Sequence, residues 1–122
     1  SKIVLIKSLK KGESVSYGMT FKADKDTKIA LIPIGYADGI PRKLSNNWNV
    51  KIKNKYYPVR GRICMDLMII EIFDDKINIE DDVLIFGNDK ELNAENMAKK
   101  SETISYEILT NIGERVKRVY KD

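Results

Sequence analysis

Histidine is absent from the 122 residues, and cysteine occurs once, at Cys64. Without histidine no side chain titrates ordinarily near neutrality, so a Ser-His or Cys-His nucleophile cannot be assembled within this chain. The same lack removes zinc sites of the usual Cys/His kinds. A single cysteine excludes an internal disulfide and is compatible with a reducing cytoplasm. No apolar run approaches the ~20 residues of a membrane helix, and the N-terminus carries no signal-peptide pattern. Internal repeats and low-complexity segments are missing as well. Any acid–base chemistry must therefore fall to Tyr, Lys, a carboxylate or Cys64.

What is present is ordinary for a soluble globular protein: 43% hydrophobic and 33% charged residues. The length suits one domain over residues 1–122, able to bury roughly two-thirds of its unfolded surface. The net charge of +4 comes from lysines spread along the chain. A clustered basic stripe, the stronger sign of a nucleic-acid partner, is not formed. The expectation is a cytoplasmic domain without membrane or nucleic-acid partners.

Hydrophobic patterning predicts many short strands. Ile3-Val4-Leu5-Ile6 opens a buried strand ending near Leu9, and Ser14 to Phe21 reads as an irregular strand or loop broken by Gly18. Lys22 to Thr27 is charged and expected to be exposed, whereas Lys28 to Ile34 is a second β run. Leu44-Ser45-Asn46-Asn47 reads as a solvent loop. Trp48 to Lys53 alternates with period two, the mark of a half-buried strand. Asn54-Lys55 then permits a tight hairpin, with Tyr57 and Val59 on the returning apolar face, and Pro58 suggests an edge or a bulge. Leu67 to Phe73 and Val83 to Phe86 are further strands.

The tail changes character. Asn93 is placed to cap a helix through Lys100. A second helix from about Glu102 to Ile112 would bury Ile104, Ile108 and Ile112 and stop at Gly113. Tyr106, about 200° around that helix from Ile104, would point off the core. Arg115 to Tyr120 reads as a last strand. The sum is a mainly β fold: a closed or nearly closed antiparallel barrel with short helices near the C-terminus.

Two glycine turns stand out, each at the end of an apolar run: Ile34-Gly35-Tyr36-Ala37-Asp38-Gly39-Ile40-Pro41-Arg42, and Gly61-Arg62-Ile63-Cys64-Met65-Asp66. Glycine lets the backbone bend or approach a ligand closely, and Pro41 fixes the exit direction. Together with Val15-Ser16-Tyr17-Gly18 and Thr103-Ile104-Ser105-Tyr106-Glu107, these words closely resemble alanine racemase, in that family's order and approximate spacing. The resemblance covers essentially the whole chain but only the family's C-terminal domain. It implies a mainly β domain preceded, in the family, by an (α/β)8 barrel that carries pyridoxal 5'-phosphate on a lysine. That barrel would be the missing partner, and the assembly a head-to-tail homodimer acting on a small amino acid.

The resemblance also assigns roles. Racemisation takes a proton from one face of Cα and returns one to the other, while the cofactor ring draws off the negative charge. Tyr17 matches the tyrosine base supplied to the neighbouring subunit. A free phenol titrates near pH 10, so this base needs cations or donors brought by the fold or by the missing domain. Met65, by itself a gap-filling core side chain, matches the residue whose backbone N–H meets the substrate carboxylate. Tyr106 matches the tyrosine that reaches the cofactor phosphate, and its predicted outward direction agrees. Tyr36, Arg42, Arg62 and Asp66 match residues lining the substrate corridor. Leu67 and Lys117 depart from the family's usual polar residue and proline, both beside matched positions.

Two other readings use the same residues. A small basic barrel could bind single-stranded nucleic acid by stacking bases on Tyr56 and Tyr57 among the lysines of the Trp48–Arg60 hairpin. A serine racemase domain would keep the family and change the substrate.

Overall fold

The computed structural model describes residues 1–15 and 21–102. Tyr17, Gly18, the expected second helix with Tyr106, and the expected last strand lie outside the described residues. Within them the chain forms β1 (Leu5–Leu9), β2 (Ser14–Val15), β3 (Phe21–Lys22), β4 (Thr27–Ile32), β5 (Asn49–Ile52), β6 (Lys55–Arg60), β7 (Met68–Glu71) and α1 (Ala94–Ser101). A five-stranded antiparallel sheet runs in the order β1-β4-β7-β6-β5, and β2 pairs with β3 separately. The mainly β expectation holds.

Alternation decides which side chains meet. From β4 to β5 the inward set is Ala30, Ile32, Met68, Ile70, Val59, Tyr57, Val50 and Ile52, all in one core cluster. The run Ile29-Ala30-Leu31-Ile32 lacks polar alternation because β4 is covered on both faces. Ile29 packs on the opposite side with Leu9 and Ala23, flanked by Phe21 and Ile69. Beneath this second cluster Glu71 is buried but satisfied. It accepts hydrogen bonds from Thr27 Oγ1 at 2.8 Å and Arg60 Nε at 2.9 Å, and the Arg60 guanidinium lies 4.9 Å from the centre of the Phe21 ring.

Five local expectations shift. The opening strand is not buried throughout: Val4 and Leu5 are exposed and Ile6 is half-buried, because β1 is an edge of the sheet. The β5–β6 turn is Lys53-Asn54, one residue earlier than predicted. Both have positive φ, 49° and 67°, the backbone that a two-residue type I′ hairpin requires. Pro58 does not mark an edge, since β6 lies between β5 and β7. Its missing N–H faces the β7 side, where the ladder begins only at Val59. Within the charged 22–27 stretch Ala23 and Thr27 are buried. Leu44, read as loop, is fully buried in a 3-10 turn (Arg42–Leu44) against which α1 packs.

Among the described residues the sheet is not closed. The segment expected to be a strand from Val83 makes two single bridges instead, Asp82 to Lys2 and Leu84 to Lys51, one to each edge. Neither side gains the second adjacent pair that would make a ladder. The segment is nonetheless held at both edges: Val83 N–H donates to Ser1 O at 2.9 Å, and Leu84 N–H to Lys51 O at 2.9 Å.

The following loop is organised by Asp89. Its Oδ1 accepts from Tyr56 Oη at 2.9 Å and from the backbone N–H groups of Glu91 and Leu92 at 2.9 and 3.0 Å, while Oδ2 pairs with Lys51 at 3.0 Å. The two backbone donors, then Lys51, hold its carboxyl well below the usual range. This loop delivers Asn93, whose side chain accepts from Asn96 N–H at 2.8 Å and caps α1 as expected. Trp48 Nε1 donates to Ile85 O at 2.9 Å, tying β5 to the same segment.

Ile70 is fully buried, and truncating it leaves a cavity. Ile70→Ala should cost about 3 kcal/mol in urea unfolding, while Ile79→Ala, at an exposed side chain, should cost under about 0.5 kcal/mol. Tyr57 sets an alkaline limit. Burial, then its 2.7 Å hydrogen bond to Asp75, pushes the phenol up to about 12. The folded state thus keeps a proton that the unfolded chain loses near pH 10. Its contribution is complete below pH 10 and disappears between pH 10 and about 12. Thermal melts across that window should fall steeply for the parent chain and less steeply for Tyr57→Phe.

Candidate active site

The two glycine turns are one structure. After β4, Ile34 N–H bonds back to Ile32 O, and Gly35 continues extended at φ −150° and ψ −158°. Here the chain crosses residues 64–67 backbone against backbone. A Cβ on Gly35 would penetrate Cys64 O and lie 2.8 Å from both Leu67 N and the Met65 carbonyl carbon. Only hydrogen fits. Directly after the crossing, Tyr36 N–H donates to Cys64 O and Ala37 N–H to Met65 O, both at 2.9 Å.

Each side of the crossing is braced from within. The Asp38 carboxylate, 2% exposed, turns back and accepts Gly35 N–H at 3.0 Å, while Asp38 N–H donates to Gly35 O. Gly39 ends this 3-10 turn (Tyr36–Asp38) at φ 100°, a backbone suited to glycine. On the other side Cys64 N–H donates to Leu67 O at 3.0 Å. Gly61 N–H and Ile63 N–H donate to Asn46 Oδ1 at 2.6 Å and Ser45 Oγ at 2.8 Å. Buried Ile40, Leu44 and Ile63 anchor the three loops in the core.

The two loops joined by this crossing carry the predicted corridor residues. Tyr36 and Met65 are exposed at 42% and 56%, so Met65 is no core filler. Arg42 lies 5.2 Å from the centre of the Tyr36 ring, a cation–π pair. Arg62 and Asp66 are exposed on the second turn. The described residues thus bring Tyr36, Arg42, Arg62, Met65 and Asp66 onto two interlocked loops. They do not include Tyr17 or Tyr106.

One backbone group is notable. The Cys64–Met65 peptide is trans, and its carbonyl is taken by Tyr36 N–H. Its N–H, on Met65, therefore points the opposite way. Among the described residues no acceptor takes it.

Sequence reasoning singled out the turn that holds Gly35 and Asp38 without giving Asp38 a role, and passed over Ser45 and Asn46 as site-builders. Asp, Ser and Asn in loops commonly hold backbone N–H groups. That signal was present, but nothing in the sequence says which distant N–H each one takes.

The nucleic-acid reading is corrected here. Tyr57 is 3% exposed, and both hairpin tyrosines spend their hydroxyls on carboxylates, Tyr57 on Asp75 and Tyr56 on Asp89. Lys51, Lys53 and Lys55 pair with Asp89, Asp81 and Asp75. A buried ring cannot stack a base, and a neutralised hairpin offers a phosphate little.

Comparison with known proteins agrees with the geometry. The family model described as "Alanine racemase, C-terminal domain" matches residues 1–120. The chain belongs to the alanine racemase C-terminal domain family. It is 44% identical to alanine racemase 2 of Caldanaerobacter subterraneus subsp. tengcongensis over 98% of its length. It superimposes on alanine racemase from D-cycloserine-producing Streptomyces lavendulae with a TM-score of 0.93, at 39% identity and over the whole chain. Alanine racemase from Bartonella henselae with covalently bound pyridoxal phosphate gives 0.91 at 34% identity over 99% of the chain. The chain spans only about a third of these relatives, 32%, 32% and 34% respectively. The structural neighbours are alanine racemases, not nucleic-acid binders.

Gly35→Ala tests the crossing. Two backbones would have to part, so unfolding free energy should drop by about 3 kcal/mol in urea titrations. Gly12→Ala, where a Cβ meets nothing within 4 Å and only the positive φ of 90° opposes it, should cost about 1 kcal/mol.

Proposed function

We propose that this chain is the C-terminal domain, residues 1–122, of a pyridoxal-phosphate-dependent alanine racemase, completing an active site shared across a homodimer. The observation that carries the reading is the crossed pair of glycine turns, which bonds the exposed Tyr36, stacked by Arg42, backbone to backbone with the loop of the exposed Met65. Alanine is preferred over serine because the relatives at 34–44% identity are named alanine racemases. The finer architecture, a nearly closed barrel, is supported by the bridges that residues 82 and 84 make to opposite sheet edges.

The donor set fits an anionic amino-acid substrate beside a phosphate-bearing cofactor: a fixed N–H with no acceptor among the described residues, and two arginines on the same loops. When bound, pyridoxal phosphate supplies an electron sink that makes the Cα proton removable. Its lysine would belong to the barrel domain of the family, and Tyr106, matched by the family's word, would hold its phosphate. Met65 N–H binds the substrate carboxylate, a donor whose direction needs no reorganisation. Tyr36, Arg42, Arg62 and Asp66 line the path inward, the arginines drawing carboxylates towards it.

Tyr17 carries the proton step. Its phenolate oxygen takes the Cα proton from one face, or its hydroxyl returns one, while the barrel lysine serves the other face. A phenol ordinarily titrates near pH 10, so cationic groups or donors from the partnering barrel must favour the phenolate.

The 122-residue chain alone should take up no pyridoxal phosphate covalently and should not interconvert L- and D-alanine. The full-length protein should do both. In that protein Tyr17→Phe should lower turnover about 10³-fold, the scale of a lost acid–base group. Undiminished alanine turnover by Tyr17→Phe would remove the base assignment.

A further inference from the structure

We propose that Asp38 is a positioning residue for substrate binding, acting through the backbone to aim the Met65 N–H at the substrate carboxylate. This rests on the racemase reading and adds a role for a side chain that does not face the substrate corridor.

Aiming a peptide N–H requires holding its plane, and the plane of Cys64–Met65 is held from behind. Tyr36 N–H takes the carbonyl of that peptide, and Ala37 N–H takes the next carbonyl, Met65 O, each at 2.9 Å. These two bonds, one on each side of the Met65 Cα, fix both the direction and the tilt of the Met65 N–H. Their donors are consecutive residues of one 3-10 turn, so the aim is only as steady as that turn.

The turn's own backbone bonds are two, Asp38 N–H to Gly35 O at 3.0 Å and Gly39 N–H to Tyr36 O at 3.1 Å. The residue that leads into it, Gly35, is further clamped by the 2%-exposed Asp38 carboxylate, whose Oδ2 accepts Gly35 N–H at 3.0 Å across the turn. A carboxylate makes a stronger hydrogen bond than a neutral acceptor and resists replacement by water when buried. Gly35 permits the two loops to approach, and Asp38 fixes the angle at which they do. A relaxed turn would leave Tyr36 and Ala37 bonded to a peptide that rocks, weakening the ground-state grip on the carboxylate without touching the proton-transfer groups.

The test uses the full-length protein. Asp38→Ala should raise KM for L- and D-alanine about tenfold and weaken competitive inhibition by acetate, a bare carboxylate, by a similar factor. Turnover should stay within about twofold, and Asp38→Asn, which keeps an acceptor, should recover most of both losses. Amide hydrogen exchange at Met65 supplies a measurement that needs no variant: acetate should slow it in the parent enzyme. An active parent whose Met65 amide ignores acetate would overturn the proposal, as would a folded Asp38→Ala enzyme with unchanged KM and acetate inhibition. A parent protein that fails to racemise alanine at all would instead sink the underlying functional reading.

Discussion

Everything on the candidate face depends on one backbone-to-backbone crossing. Where Gly35 meets residues 64–67, no side chain separates the strands' extensions, and two peptide hydrogen bonds follow at once from that closeness. Peptide groups are short and stiff compared with side chains, so loops joined this way inherit the rigidity of the strands that feed them. The feeding strands are β4, leading into the first turn, and β6 and β7, which flank the second. These are the three central strands of the sheet. The site is thus built on the best-buried part of the fold, although its surface is made wholly of loops.

The rest of the described structure keeps those strands in register. The inward alternation of Val50, Ile52, Tyr57 and Val59 permits one register only, because a slip of one residue would turn every one of them outward. Glu71, satisfied by Thr27 and Arg60, adds a polar marker of register between β4, β6 and β7. Mispairing would strand a buried carboxylate, at a cost larger than the bonds it makes. At the sheet's outer side Asp89 does similar service, gathering Lys51, Tyr56 and its own loop around one carboxylate.

How much of this could be read beforehand divides along a physical line. Period-two strands were legible, since Trp48 to Lys53 declares its buried face residue by residue. So was the cap at Asn93, because a helix start has local chemistry. The glycine turns were legible as special, and their shared words pointed to the family. Their mutual contact was not, for Gly35 and Cys64 are far apart in sequence and joined only through the sheet order. The buried state of Leu44 and the partners of Asn46 and Ser45 were hidden for the same reason. The Val83 segment misled by its composition: apolar enough for a strand, it is shared between two edges and completes neither.

The division between backbone and side chain on this face has a chemical logic. The peptide groups of the crossing are interlocked by hydrogen bonds, while the side chains of Tyr36 and Met65 lie exposed. Scattered exposed apolar residues are ordinary, but these two sit on loops whose backbone is fixed far more tightly than exposure alone demands. A surface meant only for solvent has no need of that rigidity. A surface that completes a pocket against another domain does, because a reaction at Cα tolerates little error in where the carboxylate is held. The stiff crossing and the exposed side chains are therefore consistent with each other. On the proposed function, such a domain would hold its part of the site in shape ahead of time and leave the outer contacts to a facing barrel domain.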